Sequence, residues 1–96
     1  MERNDVQMTL NDLRGKGSRF TSHDFIRRYA FNAEREYIRM LWEHRDSDHP
    51  FQAVHSQIGR ELEQQQREFG FEMDGNVSSE NIFGNPVVVP MWRFRE

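Results

Sequence analysis

The stretch Pro50–Gly70, PFQAVHSQIGRELEQQQREFG, constrains the fold more than any other part of this chain. Its apolar residues Phe51, Val54, Ile58, Leu62 and Phe69 recur at spacings of three, four, four and seven. That places them on one face of an α-helix, with a single gap at Gln65. Gln52, Ser56, Arg60, Glu63 and Arg67 form the opposite, polar face. A helix patterned in this way must lay its apolar stripe on something, and the flanking segments supply it. Beyond Gly70, an expected left-handed cap, the period switches to two: Phe69, Phe71 and Met73 point one way, separated by Gly70 and Glu72. Asp74-Gly75 then predicts a hairpin turn, because type I′ turns need residues tolerant of positive φ. VSSENIFGN at 77–85 reads equally as a returning strand, a loop or a helical turn. Val87 to Phe94 is the last strand, with Val88, Trp92 and Phe94 on one face and Val87, Val89, Met91 and Arg93 on the other. Pro90 lacks an amide proton, which predicts an edge strand or a proline facing solvent.

Upstream the pattern is helical. Residues 1 to 4 are expected to fray, and Asp5 to Arg14 forms a helix with Val6, Leu10 and Leu13 on its apolar side and Met8 off the stripe. Gly15 to Ser18 breaks it, and Ser18 to Phe20 is a short extended segment. Thr21 with Asp24 three positions later approximates a capping box for a helix through Phe25, Ile26 and Tyr29. Asn32 is a second N-cap candidate. It precedes a helix from Ala33 to about His44 whose stripe is Tyr37, Ile38, Leu41 and Trp42, with Met40 to one side. Asp46 to His49 is a polar turn, and Pro50 suits a first helical turn. The fold class is therefore α+β, with three to four helices followed by a C-terminal β-hairpin in one domain spanning 1–96. Large rings are the expected core: Phe20, Phe25, Phe31, Tyr37, Trp42, Phe51, Phe69, Phe71, Phe83 and Trp92.

Composition narrows the function classes. There are no cysteines, so disulfides and thiolate zinc sites are excluded. No apolar run approaches the roughly 18 residues that span a bilayer, and MERNDVQMTL lacks the apolar core of a secretion signal; a soluble, cytoplasmic protein is expected. The net charge of −3 is uneven: residues 1–30 sum to +2, residues 31–45 balance and residues 46–96 sum to −5. The N-terminal third alone offers an anion a favourable field. Lys16 is the sole lysine, so nearly all cations are forked guanidinium groups suited to carboxylate or phosphate.

No motif indicates catalysis, a cofactor or a metal. Ser22, His23 and Asp24 are consecutive and fan out around a helix, so they cannot align as a triad. His44, Asp46, Asp48, His49 and His55 lack zinc-ligand spacing. RGKGSRF lacks the Walker spacing and reads as a basic turn in which Arg14, Lys16 and Arg19 are positioned to touch phosphates. Ile82 and Phe83 stand in a loop flanked by asparagine and glycine, and if that loop does not fold back they form an apolar partner site.

The order of elements, with Phe20-Thr21 where a small first strand belongs and IGREL at 58–62, resembles the winged-helix variant of the helix-turn-helix fold. The resemblance covers residues 8 to 94. It implies a non-enzymatic DNA-binding or regulatory module whose long helix enters the major groove by its N-terminal part while the hairpin touches the backbone. Carried over, Gln52, His55, Ser56 and Arg60 lie near base edges, and Asn76, Ser78 and Arg93 near the hairpin's contacts. The partner so implied is duplex DNA. Because the 51–68 helix holds two arginines against three glutamates, the alternative expectation is a protein–protein interaction domain without nucleic acid, using Ile82 and Phe83.

Overall fold

The structure is a computed structural model that describes residues 1–95. Among these, five helices and three strands follow in the order α1 (Arg3–Arg14), β1 (Arg19–Thr21), α2 (Ser22–Asn32), α3 (Glu34–Glu43), α4 (Pro50–Gln64), α5 (Gln66–Phe69), β2 (Phe71–Glu80) and β3 (Pro86–Phe94). The strands form one antiparallel sheet in the order β1-β3-β2, so the class is α+β with its strands gathered mainly at the C-terminal end. No helix among the described residues is long and apolar enough to cross a membrane.

Local chemistry accounts for most element boundaries. Thr21 and Asp24 form a complete capping box, each side chain bonding the other's backbone N–H. Pro50 occupies the first turn of α4, where its missing N–H costs nothing. Gly70 ends α5 in the left-handed region at φ 73°. Residues 1 to 4, expected to fray, include the start of α1, and the Met1 amino group lies 3.0 Å from Glu61 Oε1. Asn32 does not cap α3. As the last residue of α2, it donates from Nδ2 to Thr9 Oγ1 and Asp12 Oδ2, and so joins α2 to α1.

The core contains Val6, Leu10 and Leu13 of α1, Phe25, Ile26 and Tyr29 of α2, and Val54, Ile58 and Leu62 of α4. Phe20, Phe71, Trp92 and Phe94 complete it from the sheet. Phe71 meets both Phe20 and Trp92 edge-on, at ring centroid separations of 5.7 and 5.4 Å. Trp92 also donates from Nε1 to Ser22 Oγ at 3.0 Å, a buried bond between β3 and the start of α2.

Four expectations require correction. The 50–70 helix is not continuous: it breaks at Gln65 (φ −100°, ψ 9°), the gap in its stripe, and Phe69 is buried on the short helix beyond. On α3 the buried residue is Met40, with Tyr37 and Leu41 partly buried, whereas Ile38 and Trp42 face solvent and Arg45 covers the Trp42 ring. The helix packs by its Ala33–Tyr37–Met40 side because α2 and α4 both lie there. Phe31, Phe51 and Phe83, expected in the core, are exposed. Finally, Asp74-Gly75 is not the hairpin turn. Gly75 (φ 83°) sits in a β-bulge between Met73 and Asn76, and β2 runs on to Glu80. The turn is Asn81 to Asn85, where Asn81 Oδ1 accepts from the backbone N–H groups of Phe83 and Asn85. β3 is then central, and Pro90 is tolerated there because it pairs with Asn76 at the edge of the bulge and lies one residue past the end of the β1 ladder at Met91.

Candidate binding groove

With the hairpin extended to residue 85, its tip comes back over the N-terminal half of α4. Between them lies a groove of about 840 Å³, closed on the third side by the start of α2. Its apolar lining comes from Ile26 on α2, Phe51 on α4, and Ile82, Phe83, Val87, Val89 and Pro90 on the hairpin. Its polar lining includes Gln52, Ser56 and Arg60, which follow one another at four-residue spacing along the exposed face of α4. Gly59 lies among them, and a Cβ added there would meet nothing within 4 Å.

The two walls touch at the tip. Phe83 packs edge-on against Phe51, with centroids 5.7 Å apart, and Phe51 in turn meets the His55 ring at 6.1 Å. His55 Nε2 and the Tyr37 hydroxyl are 2.6 Å apart, so α3 braces the groove floor through this residue. His23 Nδ1 lies 2.9 Å from Ser79 Oγ and ties the start of α2 to the outer half of β2. Burial pushes the pKa of His55 down, with His23 adding to the effect. Burial is also the main cause lowering His23, reinforced by Arg27 and opposed by Asp24. Both imidazoles are thereby held toward the neutral form, and the fixed charges of the lining are Arg60 against Asp48 and Glu63. The groove carries no excess of positive charge.

Most of the expected site residues fall in two places. Gln52, His55, Ser56 and Arg60, assigned to base edges, and Ile82 and Phe83, assigned to a protein partner, line this one groove. Lys16 and Arg19 line a second, smaller depression beside α1 and the outer face of α2, and the Arg14 guanidinium stacks on the Phe94 ring at 4.6 Å. Asn76 and Ser78 are exposed on β2 outside the groove, and Arg93 pairs with Glu72 at 2.8 Å. The sequence reading missed His23, Gly59, Val87 and Val89. The alternation of Val87 and Val89 along β3 was visible, but their facing α4 depends on where the hairpin turns. Among the described residues no group of three or more His, Cys, Asp or Glu side chains is gathered to hold a metal. Comparison with protein-family models, with curated proteins and with solved structures finds no match.

Proposed function

We propose that this chain is a non-enzymatic, winged-helix-like binding module, and that the groove between α4 and the hairpin receives an apolar segment of a protein partner. The observation that carries the reading is the composition of that groove. Aromatic and branched side chains from three elements converge on about 840 Å³, within the range of volumes that enclose a ligand of modest size, while carboxylates outnumber guanidinium groups in the lining. Affinity for duplex DNA comes chiefly from neutralised phosphates, which such a lining does not favour. An apolar peptide needs no counter-charge and gains from every ring it covers. Support for the winged-helix likeness comes from the antiparallel order β1-β3-β2 and from α4 preceding the hairpin.

The test is selection of random peptides displayed on phage against the immobilised protein. Enriched peptides are expected to share apolar anchors and to lose binding to Phe83→Asp and to Gly59→Phe, the latter filling the groove from a position with room for a side chain. Enrichment of peptides that bind both variants as well as the parent would discard the groove as the site.

A second reading, duplex DNA, is favoured by one feature: Gln52, Ser56 and Arg60 present donors at regular spacing on an exposed helix face. It predicts a gel shift at low salt that weakens on Arg60→Ala and Arg19→Ala. Absence of any shift at low salt would remove it.

A further inference from the structure

On a different face of α2 from the groove, a depression of about 390 Å³ is lined by Lys16, Arg19, Arg27, Arg28 and Phe31, with Asp24 its only carboxylate among the described residues. Phe31 is 69% exposed although it is a large apolar ring on a helix that has a core to pack into. The Arg28 guanidinium lies 4.7 Å from its centroid, and Arg28 Nε is itself bonded to Asp12 Oδ2 at 2.8 Å. The pair is a stacked platform, one side covered by a fixed cation and the other turned to water. Asp24 is committed to the capping box of α2, which leaves its charge partly spent on the Thr21 N–H. Arg19 approaches Asp74 Oδ2 at 3.0 Å but without hydrogen-bond alignment, and among the described residues Lys16 and Arg27 have no carboxylate within ion-pair distance. A ring with one face open to water, beside cations of which Lys16 and Arg27 have no ion-pair partner among the described residues, is the combination that holds an unstacked base and its flanking phosphates.

We propose that this surface binds single-stranded nucleic acid, with one base stacked on Phe31 and the backbone held by Lys16, Arg19 and Arg27. A duplex keeps its bases stacked inside and offers Phe31 nothing to cover it. An acidic peptide would engage the cations and leave the ring bare. The site does not depend on the groove reading, since α2 presents His23 and Ile26 to the groove and Arg27, Arg28 and Phe31 to this depression.

The experiment is fluorescence anisotropy with a labelled twelve-residue oligothymidylate and the full chain, repeated between low and moderate salt. Binding is expected at low salt, with a log–log salt slope of about −2 for three phosphates neutralised at roughly −0.7 each. Phe31→Ala is expected to weaken it about 5- to 100-fold, in line with the loss of one stacked base. Phe31→Trp should retain it, and Lys16→Glu with Arg27→Glu should abolish it. Unlabelled duplex of the same length should compete poorly, also in Arg60→Ala protein, where duplex held by α4 would not count. Phe83→Asp should leave strand binding unchanged. No binding at low salt, equal competition by duplex, or a Phe31→Ala protein as tight as the parent would overturn the proposal, the last outcome pointing to a simple anionic or acidic-protein ligand.

Discussion

Ser22 and Tyr29 lie two turns apart on the buried side of α2, and their hydroxyl groups have opposite circumstances. Ser22 Oγ accepts from Trp92 Nε1 in the interior, whereas the buried Tyr29 hydroxyl has no partner among the described residues. Removing the acceptor strands a buried indole N–H, so Ser22→Ala should cost about 1–3 kcal/mol in urea unfolding. Removing the stranded hydroxyl itself leaves a ring of nearly the same shape, so Tyr29→Phe should be neutral or stabilising by about 1 kcal/mol. A loss of stability in Tyr29→Phe would mean that its hydroxyl has a partner. His55 offers a titration at the same scale. Its unfolded pKa is 6.5 and its folded value is lower through burial. On acidification the unfolded chain therefore takes up the proton first, and stability present above about pH 6.5 falls as the pH drops toward the folded pKa. His23, shifted the same way, adds to the fall. Melting temperature should decline from pH 7 to pH 5, and His55→Gln, which cannot charge, should flatten part of that decline.

Helix elements were legible because their periods are local: Val6, Leu10 and Leu13, or Val54, Ile58 and Leu62, are buried as their spacing requires. The hairpin was misread at Asp74-Gly75 because a glycine at positive φ can serve a bulge as well as a turn, and the choice between them lies in a register shared with β3, about twenty residues further on. The groove was illegible for the same reason, since Phe51 and Phe83 meet only if the turn falls at 81–85. Ile38 and Trp42 obeyed helical spacing as well as Tyr37 and Met40 did, and only the positions of α2 and α4 decided which side was covered. Gly59 is the most informative residue of α4. It is mid-helix, has no positive φ, and would place a Cβ in open space, so Gly59→Ala should raise stability by about 0.5–1 kcal/mol. A destabilised Gly59→Ala would show that the groove floor is more tightly packed at this position.

At the scale of the whole molecule, two parts differ in how they are held. The helices and the base of the sheet, through Phe71, Trp92 and Phe94, share one core, but from Glu72 to Met91 no residue of the hairpin is buried. The outer hairpin depends on its own ladder and on contacts with the helices that include His23 with Ser79 and Phe51 with Phe83. Its amides should therefore exchange with solvent through local opening, with a free energy below that of global unfolding. Phe83→Ala removes one of these contacts while changing little buried area, since the ring is 64% exposed. Exchange at 79–87 is expected to accelerate while amides of α2 and α4 keep their protection, and global stability should change by less than about 1 kcal/mol. A double-mutant cycle with Phe51→Ala should give a coupling of about 0.5–1.5 kcal/mol when read from the exchange of those hairpin amides, the value expected for an edge-on ring pair. If exchange accelerated equally in the helices, the hairpin would be part of the global unit, and the groove would be a rigid cleft in place of one whose outer wall can part from α4 to admit a ligand.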